Sequence, residues 1–271
     1  MSFNMRDQNS STPTKILYFS IFIIPILGSL VCIAIGCQKH HFSPNELPRL
    51  STILRKQPES EIFSWALLLF TILNLIVVSR VFSHFAAIFR FSKSNFKNSV
   101  FHTFSLISGI MASLYLAIFS ISNLNKAKSH FINDENFFNI LITSIYYICN
   151  HITNNFSTFS FLFFIFLYFS FCDFMFLSIY RSNYSRKVLI YDIFGISFYL
   201  LLFIYDNLFV FVKEKLPRRF NLFGLAQFVS LSEYLLVVLS FCRYLVQYWQ
   251  IYGQRQIRST RKMQAKKFDC K

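Results

Sequence analysis

Six stretches of this chain are apolar over about the length a helix needs to cross a bilayer, and that pattern constrains the fold before any single residue does. Ile16 to Cys37 is a run of 22 residues, too long for the apolar core of a cleaved secretory signal and long enough to span. Further runs fit 62–82, 100–122, 159–180, 188–212 and 222–249. Each is near or above the roughly 20 residues that a crossing takes at about 1.5 Å per residue. With 54% hydrophobic residues, 14% charged residues and 37 Phe, the 271-residue chain has too few polar side chains to clothe a soluble domain. The expected fold is all-α: a polytopic membrane bundle of about six transmembrane helices. Pro25 and Gly28 in the first run are compatible with it, because neighbouring helices can satisfy backbone groups freed by a kink.

Residues 137–149 are apolar for only 13 positions and then run into Asn150, His151, Asn154 and Asn155. A re-entrant or interfacial segment, or the first half of a broken fourth helix, fits better than a full span. Charge supports an even number of crossings. With six spans and the N-terminal tail, 1–15, in the cytosol, 16 Lys and Arg fall on the cytosolic side and 10 on the other, Arg243 lying within the sixth run. A seventh span would place the seven basic residues of the tail 250–271 on the wrong side. Both termini are therefore expected in the cytosol, with the hydrophilic segment 38–61 forming the first lumenal loop.

The formal net charge of +15 sits in short runs between apolar stretches, not on one domain face. It points to anionic lipid headgroups of the cytosolic leaflet and away from nucleic acid. The six cysteines show neither CxxC pairs nor a disulfide ladder, and no His is spaced from another ligand as metal sites require. No metal and no cofactor is expected. No nucleophile elbow, Walker loop or dinucleotide-binding glycine pattern opens a helix.

Ionisable residues within apolar runs are costly, which makes them the natural functional candidates. Glu233 lies eleven residues into the sixth run, about 16 Å from its start and so near mid-membrane. It can serve as hydrogen-bonded packing glue or line a lipid or ion site. Asp206, with Asn207, falls near the lumenal end of the fifth run, where a carboxylate can meet a headgroup, act as a general base or simply be solvated. Asp192 and Arg243 lie near the cytosolic ends of the fifth and sixth runs, where they are expected to snorkel or pair with each other. Asp173 has no partner evident in the sequence. His84 and His102 are expected at the cytosolic interface, where a lone imidazole is usually just amphipathic.

The segment containing Asn45, Pro48 and Ser51, followed by Pro58, Glu59 and Phe63, resembles the Pro, Ser and Pro signature of the Frag/DRAM/Sfk family of six-span membrane proteins. In the same order, His84 matches a family His, Glu135-Asn136-Phe137-Phe138 resembles the family's approach to its fourth helix, and Glu233-Tyr234 resembles a Glu-aromatic pair in the sixth. Asp134 and Asp206 stand where the family commonly has His. The resemblance implies membrane lipids and GPI-anchored proteins as partners and the Golgi or endoplasmic reticulum as location. It further implies a role in GPI-anchor lipid remodelling after attachment, either accessory or as an acyl transferase acting on a lyso-lipid. Pro48, Ser51, Pro58, Glu135, Asn207, Tyr234 and His84 would form a lipid-binding or structural motif, with Glu233 and Asp206 the catalytic candidates. A lipid-organising, DRAM-like role without chemistry and a small transporter or receptor are the competing readings.

Overall fold

The computed structural model describes residues 12–41, 56–91, 96–128, 160–213 and 222–253. Among the described residues six long helices follow one another: α1 (Thr12–Gln38), α2 (Glu59–Phe91), α3 (Phe96–Lys128), α4 (Ser160–Tyr180), α5 (Asn183–Lys213) and α6 (Leu222–Tyr248). A single π turn, Trp249–Gly253, continues α6. Among the described residues there is no strand. Among the described residues five helices, α1 to α5, contain segments long and apolar enough to cross a membrane. The all-helical expectation therefore holds. The segment 137–149, Pro48, Ser51 and Glu135 lie outside the described residues.

The helices begin and end where local chemistry dictates. Pro13 sits in the first turn of α1, where its missing N–H costs nothing. Glu59 and Glu61 place negative charge in the first turn of α2, against the positive end of its dipole. At the end of α1, His40 adopts φ 53°, its N–H bonds Cys37 O at 3.2 Å, and His41 N–H bonds Gly36 O at 2.9 Å. These paired bonds around a left-handed residue form a Schellman cap. At the end of α4 Arg181 is also left-handed, with φ 48°.

α2 packs against both α1 and α3, and α6 packs against α1 and α5. α4 runs through the middle, with 56% of its spanning window buried against 22% for α5. Phe70 of α2 marks the centre, its ring meeting Phe161 at 5.9 Å, Phe241 at 5.1 Å and Tyr244 at 5.8 Å between centroids. Away from that core, large apolar side chains face outward, including Trp65, Ile190, Phe194 and Leu201. An apolar exterior is what a lipid solvent requires. Several buried hydroxyls bond within their own helices, as Ser64 does to Ser60 O and Thr71 to Leu67 O.

Close approach of α5 to α4 depends on Gly195. A Cβ there would fall 2.6 Å from Phe166 Cε1, and Phe166 is fully buried and cannot swing away. Small residues are what let membrane helices approach in this manner. Gly195→Ala is expected to destabilise the bundle by about 1–3 kcal/mol, read as a lower thermal midpoint of the detergent-solubilised protein. An unchanged midpoint would show that α5 is not held against α4 at this point.

Candidate functional site

Three charged side chains meet in the bundle core. Arg243 of α6 donates through Nε to Asp192 Oδ1 and through Nη2 to Asp192 Oδ2, both at 2.7 Å. The same Nη2 donates to Asp173 Oδ2 at 2.7 Å, and Gln250 Nε2 donates to Asp173 Oδ1 at 2.8 Å. Both carboxylates are fully buried, and the guanidinium lies over the Phe169 ring, 4.8 Å from its centroid. The pairing of Asp192 with Arg243 is as expected. Asp173 has the partners that the sequence did not reveal, and one cation joins α4, α5 and α6.

A neutral chain of hydrogen bonds lies beside it. Tyr244 OH donates to Asn74 Oδ1 at 2.6 Å, and Asn74 Nδ2 donates to Ser113 Oγ at 2.7 Å, tying α6, α2 and α3 together. Gln247 Nε2 donates to Tyr168 OH at 3.1 Å, and Ser105 Oγ lies 3.1 Å from Cys172 Sγ. The crevice between Phe82, Phe85, His102, Ser105 and Tyr168 has no space for a water-sized sphere. That crevice is tightly packed.

A third polar cluster lies at the opposite end of α1 and α2. The Schellman cap delivers His41 to the first turn of α2, where its Nδ1 lies 2.6 Å from Glu59 Oε1. The Glu59 side chain is 1% exposed and that of His41 25%. Lys56 Nζ donates to His41 O, and Cys32 Sγ–H donates to Glu59 O at 3.2 Å. Glu59 Oε2 is buried and has no hydrogen-bond partner among the described residues. The residue just before it, Pro58, follows a cis peptide bond and accepts from Glu61 N–H at 3.1 Å and Ile62 N–H at 3.2 Å, closing the first turn of α2.

The residues singled out in the sequence are dispersed relative to these clusters. Glu233 is buried on α6 and Tyr234 beside it is half-buried. Ten residues separate Glu233 from Arg243 on one helix, about 15 Å, so Glu233 does not belong to the charged cluster. Asp206 and Asn207 are helical in α5, and their side chains lie outside the described residues. His84 is half-buried against the Phe85 ring, with centroids 5.6 Å apart. His102 stacks on Phe82 at 4.1 Å and bonds Phe82 O at 3.1 Å, a structural placement. Among the described residues no group of three or more His, Cys, Asp or Glu side chains could hold a metal ion.

His41 is the residue that the sequence reading passed over. A signal for it existed. α1 and α2 are consecutive antiparallel helices, so the end of one must face the start of the other, and Glu59 directly follows a motif proline.

Long apolar helices closed around buried polar groups define a multi-pass helical membrane protein. The chain belongs to the Frag1/DRAM/Sfk1/Cwh43P N-terminal domain family, whose model matches residues 13–157. No curated protein and no solved structure matches the sequence. The matched region includes Pro58, His84 and both members of the His41–Glu59 pair, while Asp173, Asp192 and Arg243 lie beyond it.

Proposed function

We propose that the chain is a GPI-anchor lipid remodelling factor, acting after the anchor is attached to protein and allied to post-GPI-attachment-to-proteins factor 2 within the family. The family match over residues 13–157 is the observation that carries this reading. The Pro58-Glu59 turn, His84 and the Glu233-Tyr234 pair add to it as positions in motif order. Restored acylation of the anchor and surface delivery of GPI-anchored proteins would be its outcome, in the Golgi or endoplasmic reticulum membrane.

The orientation in this reading puts both termini in the cytosol. Arg80 Nη1 donates to Thr14 Oγ1 at 3.1 Å, joining the start of α1 to the late part of α2, and Phe85 meets Phe176 near the end of α4 at 5.0 Å. Exposed Lys15, Arg80, Arg181, Arg186 and Lys187 thus collect at one end of the bundle, where anionic headgroups of the cytosolic leaflet would meet them. The 38–61 loop then faces the lumen, where GPI-anchored proteins reside.

Expression in cells lacking their own post-attachment factor tests the reading. Wild-type chain is expected to restore surface GPI-anchored proteins and saturated acyl chains on their anchors. Correct localisation at normal abundance without rescue would discard it, in favour of a DRAM-like role in lipid organisation or of transport.

A further inference from the structure

Resting on the remodelling reading, we propose that His41 is a general base for acyl transfer to a lyso-lipid hydroxyl, with Glu59 its positioning residue. The proposal starts from an asymmetry in the pair. Glu59 is buried and meets the ring at Nδ1, whereas His41 is a quarter exposed, and its Nε2 has no hydrogen bond among the described residues. A carboxylate that accepts from Nδ1–H fixes the tautomer, which leaves the Nε2 lone pair free to take a proton.

A purely structural cap would not need this arrangement. The ends of α1 and α2 are already joined by the Lys56 bond to His41 O and the Cys32 bond to Glu59 O. Leaving Glu59 Oε2 buried and unpartnered costs on the order of 1–3 kcal/mol, a cost that a preorganised site carries for function. The backbone on both sides is held firmly: the Schellman cap fixes His41, and the first turn of α2 fixes Glu59.

Depth selects the substrate class. The apolar span of α1 runs from Pro13 to Gln38 and that of α2 begins at Glu59, so His41 lies three residues beyond the first span and Glu59 at the start of the second. The pair therefore stands at the end of the apolar span, the level at which glycerol hydroxyls and ester carbonyls of lipids lie. His41 Nε2 removes the proton from the free glycerol hydroxyl of a lyso-lipid. That oxygen forms an ester bond to the acyl carbonyl carbon of a second bilayer phospholipid, the donor. The donor's own acyl C–O bond breaks, and the proton passes from His41 Nε2 to the departing glycerol oxygen. One ester is made and one is broken.

The test uses purified full-length protein in phosphatidylcholine vesicles carrying labelled acyl chains, with lyso-phosphatidylinositol as acceptor. Wild type is expected to transfer label. His41→Ala should lower the rate about 100-fold or more, the range for loss of a general base, and added imidazole should restore part of it, which no structural role would allow. Glu59→Gln should lower the rate with Glu59→Asp intermediate, and His40→Asn, which retains the left-handed turn, should match wild type. His41→Gln, able to keep a hydrogen bond to Glu59, guards against a folding defect. Absence of transfer by wild type overturns the assignment, as does transfer by His41→Gln within about threefold of wild type. Rescue of anchor acyl chains in cells by both wild type and His41→Gln would remove the dyad and leave the remodelling reading standing, whereas failure of wild type in cells removes that reading itself.

Discussion

Arg243→Leu is expected to destabilise the bundle more than any other single side-chain replacement considered for its core. The change removes the guanidinium that bonds both Asp192 and Asp173, stranding two carboxyl groups that are fully buried. Removing one partner from a buried ion pair costs about 3–5 kcal/mol. The loss should appear as low membrane abundance and aggregation on solubilisation in mild detergent. The two acids are not equivalent. Asp192 takes both arms of the guanidinium fork, whereas Asp173 shares one arm and accepts from Gln250 as well. Asp192→Asn should therefore cost more than Asp173→Asn, since an amide has one acceptor oxygen and cannot take both arms. Removing all three charges together, with Arg243→Leu, Asp173→Asn and Asp192→Asn, should recover much of the loss, because neutral amides are far cheaper to bury than stranded carboxylates. If Arg243→Leu alone melts with wild type, the cluster is not holding α4, α5 and α6 together.

The helices themselves were legible because a bilayer sets a length, and hydropathy reads length directly. Their limits were less so. The second run ends in the sequence at Phe82, yet α2 continues to Phe91, because interfacial residues such as Ser83 and His84 can extend a helix beyond the apolar core. Which face each residue turns inward was not legible, since helices that are apolar all round carry no stripe to orient them. Asp173 shows the consequence: its partner Arg243 is 70 residues away, and only the rotation of α4 brings them together. Asp192 and Arg243 could be paired in advance, as single opposite charges near the same end of consecutive helices. The His41–Glu59 contact depended on a cap whose left-handed residue is His40, a less common occupant than glycine, so no glycine marked the turn.

Asn74→Leu is expected to have the second-largest effect in the core, and its size separates neutral polar glue from the charged cluster. Asn74 is fully buried, accepts from Tyr244 OH and donates to Ser113 Oγ. Leucine deletes both bonds and leaves the hydroxyl of Tyr244, itself fully buried, without its acceptor. An unsatisfied buried group costs about 1–3 kcal/mol, while single interhelical hydrogen bonds in membrane proteins average only about 0.6 kcal/mol. Asn74→Leu should therefore fall near the upper part of that range and Tyr244→Phe near its lower end. Ser113→Ala should cost least, because the Ser113 hydroxyl also donates to Gly109 O at 3.0 Å in its own helix, and its loss leaves Asn74 still bonded to Tyr244. A double-mutant cycle on thermal midpoints settles the coupling: if Asn74→Leu adds nothing once Tyr244 is Phe, the bond between them carries the effect. Strict additivity would instead place the cost outside that bond, in the lost bond to Ser113 and in the packing of leucine where α2 meets α3 and α6.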